Sequence, residues 1–318
     1  MRRLLKAAGS NRILLLLAVL WLAVILLFAS LRPTMFSATT ATTVLQFSTI
    51  LALVSLGQCL VILAGGAGID LSVGGMVSLS VVLAMLAVKV GLPPTLLPVT
   101  SIFAGLLLGL LNGVLVTRLK ILPLIATLGT LFVYSGLALA LTGGAAQSGV
   151  PAWLLPWGRG MVFWLPMPFV TLVLPVFIIA GVLLIYSAWG RWLFAMGFNE
   201  RSARLVGIPV DRARLIVYGL SGLFAGLAGL VSLAWLGSAR PNIGQNLELE
   251  SLTAVMLGGV AITGGIGGVG GVIAAVILLV TLKTGLLQLN VNTVWQVGIV
   301  GALLIAVLLV ERLSKRWN

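Results

Sequence analysis

Runs of roughly 20 uncharged, apolar residues recur along this chain, and no other feature constrains its fold as tightly. A helix needs about that many apolar residues to cross the hydrocarbon layer of a membrane. Such windows stand near 13–31, 44–64, 71–88, 95–117, 121–142, 168–189, 215–236, 252–266, 271–289 and 292–310, so about ten spans are expected. With 60% hydrophobic and 8% charged residues, a water-soluble fold would lack material for a wettable surface. The basic lead-in MRRLLKAAGSNR has the look of a signal peptide. Ile13–Leu31 is longer than a signal core, however, and Leu31-Arg32-Pro33 is a poor cleavage site, so the first window reads as a retained helix. The expected product is an all-α membrane protein, one transmembrane domain over 1–318, without a soluble domain or long linker.

Charge then orients the spans. Four cations precede the first window (Arg2, Arg3, Lys6, Arg12), and two sit in the fourth connection (Arg118, Lys120). Five lie in the long polar stretch (Arg191, Arg201, Arg204, Arg212, Arg214) and three at the tail (Arg312, Lys315, Arg316). Ten spans from a cytoplasmic start put these 14 on one side, against Arg32, Lys89, Arg159 and Arg240 on the other. The positive-inside rule therefore places both termini in the cytoplasm. The net charge of +13 is a topology signal, and no soluble basic face exists to bind nucleic acid. One cysteine, Cys59, excludes an internal disulfide, and the absence of histidine removes the commonest base and metal ligand. With six acids and no Walker-type GxxxxGK[ST], neither an acid–base enzyme nor an ATP site is expected, and no cofactor or metal is implied.

Two dense glycine clusters interrupt the helices. The first is Gly65-Gly66-Ala67-Gly68-Ile69-Asp70-Leu71-Ser72-Val73-Gly74-Gly75; the second runs from Gly258-Gly259 through Gly264-Gly265 to Gly271. Five spans separate them, an odd number, so the two halves run in opposite directions, and glycine-broken segments at matching places in inverted halves point to a transport pathway. Gly68, Gly258, Gly259, Gly264 and Gly265 are pathway candidates on that ground. The scattered pairs Gly105/Gly109 and Gly222/Gly226 read instead as sites of close helix packing. Asp70 is the only acid in the first 199 residues. Two compatible readings fit it: a cap on the following helix, and a carboxylate facing a cavity or partner at membrane depth. Lys283, inside a span, is expected to snorkel to an interface. The segment Gly143–Pro168, with Trp153, Trp157 and Trp164, reads as an outer loop anchored at the membrane surface.

Residues 190–214, GRWLFAMGFNERSARLVGIPVDRAR, are the one long polar stretch. Asn199 is a good N-cap, Glu200–Val206 can form two helical turns, Gly207 supplies a left-handed stop and Pro209 prevents continuation. Glu200 and Arg204 stand at i,i+4 in the favoured order, while Ala203, Leu205, Val206, Ile208 and Val210 supply an apolar contact surface. A short capped helix lying along the cytoplasmic side suits a groove on a soluble partner.

The ordered set GGAGIDLSVG from residue 65, LNGVLVT at 111–117, IATLGTL at 125–131, GFNERSARLVGIPV at 197–210 and AVMLGGVAITGGIGGVGG at 254–271 resembles the permease subunits of bacterial monosaccharide ABC importers of the ribose, xylose and autoinducer-2 class. The likeness runs from about Gln46 to the C-terminus. One departure is an extra Ala67-Gly68 where many members read GGIDLS. The resemblance implies about ten helices in two inverted halves, a coupling helix docked on ATPase subunits, and a pathway between two permease chains in the bacterial inner membrane. A periplasmic sugar-binding protein would deliver the cargo. It makes Gly197, Asn199, Glu200, Arg201, Ala203, Arg204, Leu205, Gly207 and Ile208 the expected coupling residues. Polar residues near the breaks, Asp70, Ser72, Asn112, Thr127 and Thr130, are candidates for the pathway lining, and a weakly binding, mostly inert passage stands as the alternative. Branched-chain amino-acid permeases share a similar loop and glycine pattern and stand as the near alternative. An ion-coupled secondary transporter would need a relay of ionisable residues within the spans, and only Asp70 and Lys283 are on offer.

Overall fold

The computed structural model describes residues 2–32, 35 and 37–314; Pro33 and the tail cations Lys315 and Arg316 lie outside them. The chain is almost wholly helical. In order come α1 (Arg2–Leu31), α2 (Ala38–Leu63), α3 (Val73–Lys89), α4 (Leu97–Thr117) and α5 (Pro123–Thr142). After a short α6 (Leu155–Arg159) and a hairpin of two-residue strands, β1 (Met161–Val162) and β2 (Leu165–Pro166), the chain continues into α7 (Leu174–Tyr186). Then follow α8 (Ala188–Phe198), α9 (Glu200–Leu205), α10 (Val210–Leu236), α11 (Leu247–Leu257), α12 (Val269–Gln288) and α13 (Thr293–Ser314).

Among the described residues seven helices are long and apolar enough to cross a membrane, and Val73–Lys89 and Val294–Ala306 are shorter apolar helices beside them. One expected span is corrected. The window 252–266 is not a crossing helix: α11 has 11 residues, about 16 Å at the helical rise, which is half the hydrocarbon thickness. Backbone geometry ends it. Gly259, Gly264, Gly265 and Gly267 all take positive φ, a conformation incompatible with continuing a right-handed helix. The polar stretch 190–214 is also more helical than expected, because Ser187 caps α8 by accepting from the Gly190 N–H at 3.0 Å. Leu193 and Met196 then turn into the core.

The central helix is α2, buried almost throughout its second half and packed by α10, α11 and α12. The tightest pairing joins α4 to α10. Gly105 and Gly109 meet Gly222 and Gly226 backbone to backbone, and the Ser101 hydroxyl donates to the Gly226 carbonyl at 3.0 Å. Small residues bring these helices close enough for dispersion and polar contacts to act between backbones.

Two ends of the bundle are chemically distinct. At one, Lys120 in the α4–α5 turn pairs with Asp211 at 3.3 Å, which places that turn beside α9. At the other, Lys89 donates to Gln147, Gln147 bridges antiparallel to Ala239, and Arg159 Nε donates to the Trp235 carbonyl at 2.8 Å. Trp153 and Trp164 are exposed near this second end, whereas the Trp157 indole donates to Thr171 at 3.1 Å.

Candidate functional site

The site is the place where the two broken helices meet α8 and α9. Local chemistry builds α9 first. The Asn199 side chain accepts from the Ser202 N–H at 2.9 Å. At the other end Gly207 sits at φ +82°, its N–H bonded to the Arg204 carbonyl, and the Ile208 N–H reaches the Ala203 carbonyl. That pair of bonds is a Schellman closure, which satisfies carbonyls the helix would otherwise leave bare. A six-residue helix is too short to persist on its own; both caps and the packing beneath it hold it.

The faces of α9 differ from the expectation. Ala203 is 3% exposed and Val210 is buried, so both belong to the core, and Ile208 packs against it. Leu205 at 82% and Val206 at 76% exposure stand outward, with Phe198 beside them. Ala203 is therefore an anchor, and the outward apolar surface narrows to Phe198, Leu205 and Val206. The correction has a simple cause: the first and last turns of so short a helix overlap, and the underlying helix alone decides which side is inside.

An ionic web surrounds this surface. Arg204 binds Glu200 at 2.8 Å and Asp211 at 2.7 Å, and Arg214 binds Glu200 at 2.7 Å. Arg214 is mostly buried and lies over the first break, where a Cβ on Gly66 would stand 3.0 Å from its guanidinium carbon and 3.2 Å from the Glu200 carboxylate. The Arg214 hydrogen bond, then that of Arg204, holds the Glu200 carboxyl below its ordinary value. Arg201 is exposed beside the web.

Beneath it lies a junction of bare backbone. A Cβ on Gly65 would stand 2.6 Å from Gly197 Cα, one on Gly264 2.5 Å from Gly65 Cα, and one on Gly265 2.5 Å from the Phe198 nitrogen. The Gly265 N–H donates to the Leu63 carbonyl at 3.1 Å, satisfying a group in the last turn of α2. Both breaks therefore touch each other and touch α8 at Gly197, with no side chain between. Gly258 packs on Gly271 in the same manner, joining the end of α11 to the start of α12.

The polar residues near the first break form a closed network. Asp70 Oδ1 accepts from the Ser72 N–H at 3.0 Å and the Ser72 hydroxyl at 2.6 Å, and Oδ2 accepts from the Ser221 hydroxyl at 2.8 Å. Asn112 donates to Ser72 at 2.6 Å, and the Tyr134 hydroxyl donates to the Leu108 carbonyl at 3.0 Å. Thr127 donates to the Ile69 carbonyl at 3.1 Å, and Thr130 bonds back to its own helix. Asp70, Ser72, Asn112 and Thr127 have no exposed surface in the single chain. In this conformation they hold α3, α4, α5 and α10 together and face no open passage, a different placement from the expected lining. Asp70 serves the helix start through Ser72, as an Asx turn, and ties it to α10 as well.

Sequence reasoning passes over four participants. Ser221 and Arg214 give no local signal, since their partners lie 151 and 14 residues away. The expected spans leave Glu248 and Glu250 in an outer connection, yet both stand in the first turn of α11. Lys283 does not snorkel: it pairs with Glu250 at 2.6 Å, a half-buried bond between α11 and α12.

Comparison with known proteins is consistent across the chain. Residues 40–308 match the family model described as branched-chain amino acid transport system / permease component. The ribose import permease protein of Bacillus subtilis (strain 168) is 35% identical over 91% of this chain and 89% of its own length. The ribose import permease protein of Escherichia coli (strain K12) is 32% identical over 91% of both. The autoinducer 2 import system permease protein of Escherichia coli O9:H4 (strain HS) is 34% identical over 91% of this chain and 85% of its own length.

Proposed function

The chain belongs to the permease family of branched-chain amino acid type transport systems, and from that premise we propose that it forms one half of an inner-membrane passage through which an ABC importer moves a monosaccharide or a similarly small polyol. The family description names branched-chain amino acids. The relatives matched over nine-tenths of the chain are import permeases for ribose and autoinducer 2, and they favour a neutral, hydroxyl-rich cargo. An ion-coupled carrier would use a relay of ionisable groups through the interior. Lys283 is paired with Glu250 and Asp70 is enclosed by hydroxyls, which leaves Glu248, among the described residues, as the one inner acid with an unpartnered oxygen and makes a poor relay.

In this reading the ATP is hydrolysed on separate partner subunits, a periplasmic binding protein supplies the sugar, and a second permease chain completes the passage. Nucleotide binding draws the partner against Phe198, Leu205 and Val206. The motion passes through Gly197 into both glycine breaks at once, so that one displacement shifts α2–α3 and α11–α12 together and biases the bundle between two openings. The observation that carries this is the geometry of the α8–α9 corner, where Phe198, Leu205 and Val206 stand outward while Gly197, near the end of α8, meets both breaks backbone to backbone.

The test replaces Leu205 and Val206 together by aspartate, a change with no cost to the core because both point outward. Expected is loss of ATPase co-purification and of ATP-driven uptake, with the permease still in the membrane. Wild-type association and uptake in that variant would remove the docking role.

A further inference from the structure

A polar wall stands half-way across the bundle, on the segment that leads into α11. Depth follows from two independent measures. Firstly, α11 ends at Gly258, six residues ahead of the junction at Gly264 and Gly265, and its own length sets its first residue about 16 Å before that end. Secondly, Ser221 is eleven residues past Val210 in α10, again about 16 Å, and it holds Asp70. Two residues beyond Ser72, Gly74 touches Gly244 backbone to backbone, and the Gly244 N–H donates to Ser78 at 3.0 Å. Residues 237–246 therefore descend from the far end of α10 to mid-depth, and they do so as bends and turns without a helix.

Irregular backbone at that depth is tolerated only inside protein or against water. Pro241 and Gly244 are buried, whereas Asn242 and Gln245 are exposed. Exposed amides in the middle of a bilayer cannot face acyl chains without a desolvation cost of several kcal/mol. Beside them Glu248 Oε2 is buried without a hydrogen-bond partner, and a Cβ on Gly74 would come within 2.5 Å of it. Such a set has two amides that both donate and accept, and one carboxylate oxygen with an unused lone pair.

We propose that Asn242, Gln245 and Glu248 line the translocation passage at mid-depth and form a station that exchanges hydrogen bonds with the hydroxyls of a passing sugar. This rests on the permease reading above, and it names residues of the wall that glycine patterning did not reveal. Interchangeable hydrogen bonds suit a passage, since a cargo held by a few of them, most made by the neutral amides of Asn242 and Gln245, is also released.

The complete importer in proteoliposomes tests this in two arms. In the first, Asn242→Cys and Gln245→Cys are treated with a charged, water-soluble thiol reagent, against Ile178→Cys, which is 64% exposed midway along the span Phe169–Tyr186, as the lipid-facing control; native Cys59 is buried. Labelling at least about tenfold faster than the control is expected for a water-facing wall, and labelling as slow as Ile178→Cys overturns the proposal. In the second arm, Glu248→Gln and Asn242→Ala are expected to cut ATP-driven D-ribose uptake about tenfold at saturating loaded binding protein, without loss of ATPase association or thermal stability. Unchanged uptake in both variants overturns the station. Failure of the wild-type importer to move D-ribose or any of a panel of pentoses and hexoses would instead count against the permease reading, and the labelling arm would still decide whether the wall meets water.

Discussion

One added methyl group at Gly197 tests whether the junction of the two breaks transmits force. Gly197 lies in α8, where alanine is intrinsically favoured over glycine by roughly 0.5–1 kcal/mol. Here the tertiary surroundings oppose that gain. A Cβ would overlap the Leu63 carbonyl oxygen and the Gly265 nitrogen and stand 2.8 Å from Gly265 Cα, all of it backbone. Carbon contacts are comfortable from about 3.5 Å, so two chain segments have to recede by close to an ångström. Overpacking of this kind costs about 1–3 kcal/mol. The Gly265 N–H to Leu63 carbonyl bond, which passes through the same space, is worth about 1 kcal/mol more. The net expectation for Gly197→Ala is a loss of about 1–3 kcal/mol. Gly129→Ala in α5 is the matched control, because nothing lies within 4 Å of its added methyl, and it should be neutral or up to about 1 kcal/mol stabilising. Thermal unfolding in detergent, followed by tryptophan fluorescence, reads the stability; sugar imported per ATP hydrolysed reads the coupling. Gly197→Ala should melt below both wild type and Gly129→Ala, and import less per ATP while still holding the ATPase. A variant that melts with the control and couples normally would refute the reasoning.

The Glu200 clasp has a definite pH signature. Its carboxyl is held below the ordinary value of 4.5, so the stabilisation is complete above that value and disappears as pH falls through the lower, folded-state value. The gap in melting temperature between wild type and Glu200→Gln should be open at pH 7, unchanged at about pH 5 and closed well below about pH 4; a gap that closes between pH 7 and 5 would assign it to another group. Exchanging the charges, Glu200→Arg with Arg204→Glu, should not restore function. The introduced guanidinium would face Arg214 and the introduced carboxylate would face Asp211, so uptake at the wild-type rate would contradict the web described here. Lys283→Met leaves the half-buried Glu250 unpaired at an expected cost of about 2 kcal/mol, between surface and fully buried pairs. Adding Glu250→Leu should recover most of that loss in thermal unfolding, and an undiminished loss in the double variant would show that the pair carries no such energy.

The reach of each interaction along the chain explains what is legible in the sequence alone. The Asn199 and Gly207 caps and the Glu200–Arg204 pair arise within eight residues or fewer, and they stand in the structure where the spacing predicts them; the apolar windows arise within about twenty and, 252–266 apart, do so too. The half-length of α11 is hidden although its glycines are visible. A hydropathy window adds side-chain transfer energies and is blind to the positive φ that Gly259, Gly264 and Gly265 adopt. That blindness also misplaces Glu248 and Glu250, since a full span beginning at 252 leaves them outside the membrane, whereas a half-helix draws them to mid-depth. Inward and outward faces are undecidable for Ala203 and Leu205, which are both apolar and two residues apart. What separates them is a neighbour supplied by α10, and the same helix brings Ser221 to Asp70 and Arg214 to Glu200. Residues that act through α10 are thus the ones a linear reading loses. They also unite the two halves: α10 grips the first break at mid-depth through Ser221 and near α9 through Arg214. A displacement of α9 therefore reaches that break by two routes, Gly197 and the Glu200–Arg214 pair, and blocking either alone should weaken coupling without abolishing it.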